Sequence, residues 1–466
     1  MTDAVIAHRR DTAFLGHPIG LGWLAGSELW ERFSYYGMLS LLPLYLVHFL
    51  LQPGHTDHII GFGAFTAFLA FIFGTAVTSQ ALAAHIVGFY QSSVYATPLL
   101  GGLVADRVLG RTNAVTIGAL LMALGHFLMA FQASFVLALL CLILGVGFFK
   151  GNIASQVGDL YAKDDSRRAN AFQIFLLSVQ IAVIGAPLVC GTLGEKYSWD
   201  LGFGAAGVGM LIGLIVYRSG RSTLPPEPVR QADDKPANPP LTRKDWIKIA
   251  ALIVLLPVLA IGIVGNQQLG NAYPIWAEHD ISLTFFGFLM PTSWLQSVDA
   301  VVSTVTMVLV IAFWRLWETR FREIDEITKI TLGVALSALA PLALAAAANV
   351  AAQSHHKAGF EWVLLFEVIN DIGFANVLPV GLALYSRAAP KGMQGLIIGV
   401  YYLHLVVGNS FTAFVGGKLE TMPATWFWLL HTGLMLGAAT VLLLAKLLFG
   451  RILAPAYTET QAEAAR

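Results

Sequence analysis

The chain has 466 residues, of which 56% are hydrophobic and only 12% are charged. Soluble globular proteins carry about 25% charged residues, so this composition argues against a soluble domain and favours a membrane protein. The formal net charge is zero, which provides no basic surface for nucleic acid, and the two cysteines lie in apolar runs without metal-ligand spacing.

The first apolar run, 20–48, contains Glu28, Glu31 and Arg32, which are the only charged residues between Ile19 and Val47. A charge in the hydrocarbon core costs several kcal/mol by most estimates, about 2.5–3.5 kcal/mol on insertion scales, so such residues usually act on ions or charged solutes. On a helix the spacings i,i+3 and i,i+4 bring all three side chains to one side. The run therefore predicts a buried, protonatable ion-pair cluster.

Apolar runs long enough to cross a bilayer as helices recur along the chain. They predict twelve transmembrane spans, at 20–48, 80–104, 112–131, 134–156, 170–193, 199–218, 246–272, 287–314, 327–352, 361–385, 392–417 and 424–449. With twelve spans, most lysines and arginines fall on the side that holds both termini, which is therefore cytoplasmic. Counting 59–78 as a further span would destroy this bias, so we expect that segment to be lateral or interfacial.

The segment 219–245 interrupts the apolar pattern with prolines and mixed charges, and is typical of a solvated linker. It predicts an N-terminal six-helix bundle at 1–218, a cytoplasmic linker at 219–245 and a C-terminal six-helix bundle at 246–466. This all-α architecture suits a transporter built from two bundles, with its binding site near the middle of the membrane.

Several motifs resemble those of one transporter family. The segment GGLVADRVLGR at 101–111 resembles the cytoplasmic loop signature of the major facilitator superfamily, in which glycines permit a tight turn and charged residues cap helix ends. Together with further motifs, it makes the chain similar to the proton-dependent oligopeptide transporter family, as a divergent member. The further motifs are ELWERFSYYGM at 28–38, FKGN at 149–152, PTSWLQS at 291–297, PVGL at 379–382 and AP at 389–390.

The resemblance implies a major facilitator fold and the import of di- and tripeptides by alternating access, driven by an inward proton gradient. Glu28, Glu31 and Arg32 would form the proton-coupling cluster. The resemblance also implies a monomeric, multi-pass protein of the plasma (inner) membrane, with a small peptide or peptide-like substrate and the lipid bilayer as partners. Protons would be the coupling ion, and no cofactor, metal or enzymatic activity is expected.

The same resemblance implies a substrate pocket. Arg32 and Lys150 would hold the peptide carboxylate, and Tyr35 and Tyr36 would line the pocket. The physical chemistry agrees, because two cations from different helices make a carboxylate clamp. A protonated glutamate would also release an arginine that an ionised glutamate holds.

The chain departs from the family at other pocket positions. Leu39 and Gln267 stand where the family has an arginine and its carboxylate partner in span 7, and Phe374 replaces the glutamate that receives the peptide amino group. Gln180 and Asp299 replace asparagines of spans 5 and 8. The carboxylate clamp is thus kept, whereas the amino-group clamp and one ion pair are lost.

New acidic residues offset part of this loss. Glu367, Asp371 and Phe374 follow i, i+4, i+7 spacing and share one face of span 10. Glu367, Asp371 or Asp299 could receive a substrate amine or pair with Lys150, and of these we interpret Glu367 as a solvated residue of the rim.

The leading hypothesis is a proton-coupled symporter of peptides or peptide-like carboxylates. One alternative is a non-transporting or resting-locked, sensor-like descendant of the family. At Leu39 and Gln267 this chain lacks the charged residues that the family has, and it also lacks the family's amine acceptor. Another is a transporter of a non-peptide organic anion. An intramembrane enzyme is disfavoured, since the spans contain no catalytic constellation of histidine, aspartate and cysteine.

Overall fold

A computed structural model describes residues 11–162, 165, 167–225, 241–322, 324–390 and 393–453. This part of the chain is almost entirely helical. Its elements, in order, are α1 (Ile19–Tyr45), α2 (Phe62–Phe73), α3 (Ser79–Val104), α4 (Arg111–Leu128), α5 (Phe135–Asp159), α6 (Arg167–Ala186), α7 (Thr192–Lys196), α8 (Trp199–Gly220), α9 (Arg243–Gly262), α10 (Val264–Gln267), α11 (Ala272–Asp280), β1 (Thr284–Phe285), β2 (Phe288–Leu289), α12 (Trp294–Arg320), α13 (Glu326–Ser337), α14 (Ala340–Ser354), α15 (Glu361–Phe374), α16 (Leu378–Ala388), α17 (Gln394–Gly416) and α18 (Ala424–Leu453).

The described residues divide into two compact units. The first comprises the described parts of Met1–Phe68, Ser93–Arg230 and Pro291–Ala300, and the second those of Leu69–Ser92, Gln231–Met290 and Val301–Arg466. The units differ from the predicted domains 1–218 and 246–466 in two exchanged segments. These are Leu69–Ser92, which contains the end of α2 and the first half of α3, and Pro291–Ala300, which contains the start of α12. Much of the predicted linker 219–245 lies outside the described residues, so the division into two six-helix bundles stays a prediction.

The predicted membrane-spanning pattern is largely present in the structure. Within the part of the chain that is described, ten helical segments are long and apolar enough to cross a membrane. The predicted spans 80–104 and 112–131 are the helices α3 and α4, which are not among these ten. The all-α membrane fold is thereby confirmed, while the count of twelve spans and the cytoplasmic termini stay predictions.

The stretch 59–78 contains α2, which has only 12 residues. At a rise of about 1.5 Å per residue it is about 18 Å long, well short of the roughly 30 Å of a hydrocarbon core. Glycines with positive φ, Gly61 and Gly74, lie directly before and after it. Its length therefore does not allow α2 to cross the membrane as a helix.

The predicted span 287–314 is wrong at its start, because its helix begins only at Trp294. The preceding residues form a hairpin in which Thr284 pairs with Leu289 and Phe285 with Phe288. Phe286 and Gly287 in the turn both have positive φ, which is typical of the type I′ turn of a two-residue hairpin. Hydropathy alone therefore did not reveal that the first residues of this apolar run belong to a hairpin and not to the helix.

Three further predicted spans are interrupted within the second unit. The run 246–272 is divided into α9, α10 and the start of α11, with Asn271 in a non-helical conformation. The runs 327–352 and 361–385 each break shortly before a proline, at Pro341 and Pro379, which lie in the first turns of α14 and α16. Proline lacks an N–H and is tolerated at a helix start, so these breaks follow from its chemistry.

Within the first unit, α1 packs closely against α8. Added Cβ atoms at Gly209 and Gly213 would lie 2.8 Å from the ring of Phe33 and 3.1 Å from Cβ of Trp30. Ser34 Oγ donates a hydrogen bond to the carbonyl of Ala206, with a distance of 2.7 Å. Small residues that let helix backbones approach are typical of membrane interfaces, and here they set the rotation of α1.

The second half of α3 meets α5 at still closer range. An added Cβ at Gly101 would overlap the carbonyl oxygen of Gly147, whereas one at Gly102 would meet nothing within 4 Å. Thr97 Oγ1 donates a hydrogen bond to the carbonyl of Ile143, with a distance of 3.1 Å. This contact fixes α3 against the helix that carries Lys150.

We predict that Gly101→Ala destabilises the protein and that Gly102→Ala, the adjacent position of the same helix, does not. Overpacking a tight contact costs about 1–3 kcal/mol, and a backbone carbonyl has little freedom to move. Thermal unfolding of the purified protein in detergent measures the difference. Equal unfolding temperatures for the two variants would contradict the described approach of α3 and α5.

Candidate functional site

The three charged residues of α1 lie together in the interior of the first unit. Glu28, Glu31 and Arg32 are 4%, 0% and 4% exposed. Arg32 Nη2 donates to Glu31 Oε1 with a distance of 2.7 Å, and Arg32 Nε lies 2.5 Å from Glu31 Oε2. Glu28 Oε1 is 3.5 Å from Arg32 Nε. One guanidinium is therefore shared by two carboxylates, with Glu31 as the bidentate partner.

Glu28 is the less satisfied of the two carboxylates. Its second oxygen, Oε2, is buried and has no hydrogen-bond partner among the described residues. A buried carboxylate oxygen without a donor is costly when the group is ionised. Among the described contacts, Glu28 is thus held less firmly than Glu31, which uses both of its oxygens.

Aromatic rings extend the cluster along α1. The ring of Tyr35 lies 4.8 Å from Cζ of Arg32, and Tyr36 meets Tyr35 edge to face with a centroid distance of 5.0 Å. Tyr35 is buried and Tyr36 is half-buried. Guanidinium groups stack favourably on aromatic faces, so Tyr35 helps to hold Arg32 in place.

Lys150 reaches the same region from α5. Its Nζ lies 4.6 Å from the ring centroid of Tyr95 on α3. Lys150 also interacts electrostatically with Arg32, Glu31 and Glu28. The first unit therefore brings two cations from different helices to one cluster, as the sequence predicts.

Two other predicted site residues belong to the first unit. Asp299, in the second turn of α12, interacts electrostatically with Tyr36. Gln180 is half-buried on α6. Leu39, the position of a missing arginine, is a buried apolar residue that is 5% exposed. The neutral character of this position thus matches its packing.

The remaining predicted residues belong to the second unit. Asp371 on α15 is 2% exposed and accepts a hydrogen bond from the side chain of Asn370 at 3.2 Å. Phe374 is half-buried on the same helix. Gln267 donates to Asn266 Oδ1 at 3.2 Å, so this part of the chain forms a neutral amide pair.

The interpretation of Glu367 as a solvated rim residue is wrong. Glu367 is fully buried, and its Oε1 accepts a hydrogen bond from the hydroxyl of Tyr273, with a distance of 2.8 Å. Tyr273 is also fully buried and packs against the ring of Phe366, with a centroid distance of 5.3 Å. Sequence reasoning missed Tyr273, because α11 follows a helix break that hydropathy did not reveal.

Comparison with known proteins agrees with this architecture. Residues 112–233 and 241–428 match the sequence profile of the POT family. The chain is 28% identical to an uncharacterized transporter, YclF, of Bacillus subtilis, over 91% of this chain and 93% of that protein. It is 27% identical to the peptide transporter YePEPT of Yersinia enterocolitica, over 92% and 94%.

A solved structure is also similar over nearly the whole chain. The crystal structure of a mutant of the peptide transporter POT in complex with alafosfalin has a TM-score of 0.81 and 25% identity, and covers 97% of this chain and 99% of that chain. Long apolar helices with a buried ionisable cluster, in this arrangement, define an integral membrane transporter of the major facilitator fold. The chain belongs to the POT family. It is accordingly a plasma membrane protein and not an enzyme.

Proposed function

We propose that the protein imports di- and tripeptides, or peptide-like carboxylates, by proton-coupled symport with alternating access. The observation that carries the proposal is the buried cluster of Glu28, Glu31 and Arg32, with Lys150 within electrostatic range. Charges at this depth are expensive unless they act on ions or charged solutes. The peptide transporters that the chain resembles support the substrate class. We further propose a monomer that uses protons as its coupling ion and needs no cofactor.

Proton coupling follows from the bidentate contact between Glu31 and Arg32. While Glu31 is ionised, both of its oxygens engage the guanidinium. A proton on Glu31 would remove the charge that makes this contact strong. Arg32 would then be available to a substrate carboxylate, so proton uptake and substrate binding would favour each other.

The substrate carboxylate would be held by Arg32 and Lys150 together. In the structure Lys150 rests over Tyr95, a neutral ring, and forms no ion pair among the described contacts. Its ammonium can therefore turn to an incoming anion without first leaving a carboxylate. Tyr35 and Tyr36 would flank the substrate through their hydroxyls and ring faces.

This protein would bind the amino group of a peptide through other residues than ordinary peptide transporters use. Phe374 offers no charge, whereas Asp371 is a buried carboxylate on the same helix. Asp299, near Tyr36 in the first unit, is the other candidate. Gln180 and Gln267 would add neutral hydrogen-bonding groups to the pocket. We propose that the α-amino group contributes less to binding than in ordinary peptide transporters.

Two observations favour alternative functions. Leu39 is buried and Gln267 pairs with an amide, so one ion pair of the family cannot form, which fits a resting-locked, sensor-like descendant. The loss of the amine acceptor at Phe374 fits a transporter of a non-peptide organic anion. Measuring uptake into proteoliposomes distinguishes a transporter from the first alternative. A thermal-shift screen of peptides, N-acylated peptides and organic acids distinguishes a peptide transporter from the second, since ligands stabilise the native state.

The first functional prediction concerns coupling. Glu31→Gln should abolish proton-driven accumulation of substrate in proteoliposomes, because the side chain can no longer carry the proton. Counterflow exchange should remain measurable, since exchange needs no net proton transfer. Glu420→Gln, which neutralises an exposed carboxylate, is the control and should retain both activities. Undiminished pH-driven uptake by Glu31→Gln would refute this role.

The second prediction concerns the carboxylate clamp. Lys150→Ala should weaken substrate binding by about 1.5–3 kcal/mol, the usual contribution of a hydrogen bond to a charged group. Lys418→Ala is a matched control, because Lys418 is exposed and also lies over a ring, 4.8 Å from the centroid of Phe414. Competition binding measures both variants. If a C-terminally amidated analogue binds as well as the free acid, the clamp does not exist.

The third prediction concerns the amino group. N-acetylated or amine-free ligands should compete well with a dipeptide, because an ammonium without a carboxylate partner is costly to bury. A strong preference for the free amine that disappears in Asp371→Asn would identify a relocated amine clamp. If that preference survives in both Asp371→Asn and Asp299→Asn, neither aspartate receives the amine and this account of the pocket fails.

A further inference from the structure

Glu195, in the short helix α7, has contacts that the proposed transport mechanism does not use. Its Oε2 accepts a hydrogen bond from the backbone N–H of Thr292 at 2.7 Å, and its Oε1 accepts one from the N–H of Ser293 at 2.8 Å. Both donors lie just before α12, and all three residues belong to the first unit. One carboxylate thus receives two consecutive backbone donors from a segment about one hundred residues away.

The physical basis of this contact is the start of α12. The first N–H groups of a helix lack partners within the helix, and the helix dipole places partial positive charge there. Pro291, directly before Thr292, has no N–H to donate. A carboxylate from another segment therefore satisfies both donors and also complements the dipole.

Three neighbouring contacts join the start of α12 to α6, to α7 and to the turn between these two helices. Trp294 Nε1 donates to Thr192 Oγ1 at 2.9 Å, and Ser297 Oγ donates to the carbonyl of Ile184 at 2.7 Å. An added Cβ at Gly191 would overlap the side chain of Ser293, so only glycine allows this approach. The start of α12 is therefore held along its length from Thr292 to Ser297.

We infer that Glu195 is a positioning residue, which holds the first turns of α12 and so keeps Asp299 within electrostatic range of Tyr36. Asp299 lies two residues beyond Ser297, the last residue of this attachment, so a movement of this segment would change the position of Asp299 relative to Tyr36. Glu195 is only half-buried, so water can replace its hydrogen bonds. The attachment is thus releasable. Its consequence for substrate binding rests on the proposed function.

The test places a single thiol at the attachment. In a background without native thiols (Cys141→Ala and Cys190→Ala), Thr292→Cys introduces a side chain at a position that is 3% exposed and keeps the backbone N–H. The rate of maleimide labelling in proteoliposomes then reports how often this segment opens. Glu195→Ala is the test variant, Glu195→Gln keeps one acceptor oxygen, and Glu420→Gln is the control.

Glu195→Ala should raise the labelling rate on the order of tenfold, because two hydrogen bonds to a charged group are lost. Glu195→Gln should give an intermediate rate, and Glu420→Gln should match the parent. In uptake assays Glu195→Ala should raise KM more than it lowers kcat. If Glu195→Ala does not fold, Thr192→Val and Trp294→Phe, which each remove the hydrogen bond between the indole and the Thr192 hydroxyl, should both raise the labelling rate.

The inference is overturned if Glu195→Ala folds and is labelled at the same rate as Glu420→Gln. If Glu195→Ala does not fold, the inference is overturned when Thr192→Val and Trp294→Phe are labelled at the rate of the parent. Labelling does not require transport. If the parent protein moves no peptide, the proposed function fails while the labelling rates still decide the role of Glu195. If the parent transports and labelling is unchanged, only the role of Glu195 fails.

Discussion

A guanidinium buried in an apolar helix bundle needs a carboxylate, and the contact of Arg32 with Glu31 is the interaction on which the candidate site depends. Breaking a buried pair by removing one partner costs about 3–5 kcal/mol, because the other charge is left uncompensated. A change of protonation within the cluster therefore cannot remain local. If Glu31 takes a proton, the lost charge must be answered by movement of Arg32, by the charge of an ionised Glu28, or by an external anion.

The rest of the first unit serves to hold this cluster in one geometry. Gly209 and Gly213 allow α8 to approach α1, and Ser34 fixes the rotation of α1 through a carbonyl of α8. Gly101 and Gly147 allow α3 to approach α5, which places Tyr95 beneath Lys150. The glycines at these helix contacts thus determine the positions of the charged side chains, although they have no reactive or charged group themselves.

Hydropathy and local spacing were sufficient to predict the all-α membrane fold and the cluster on α1. Both depend on interactions between residues that are close in sequence, such as the i,i+4 pair of Glu28 and Arg32. The contacts that were missed are long-range ones. Tyr273 reaches Glu367 across 94 positions, and Glu195 reaches Thr292 across 97. A single sequence contains no signal for such pairs, and a hydropathy average conceals both helix breaks and the hairpin before α12.

The helices of both units contain irregularities. In the first unit, α1 and α6 each continue into a π-helical turn, Leu46–Leu50 and Pro187–Gly191, so the helical backbone goes on without a gap. In the second unit the interruptions before Pro341 and Pro379 leave carbonyls without the N–H that a continuous helix would supply. Helices kink at prolines and at π-bulges alike, and α1 and α3 of the first unit also contain internal prolines, Pro43 and Pro98. Both units therefore contain positions at which a helix can change direction, and the prolines of the sequence fix where several of these positions lie.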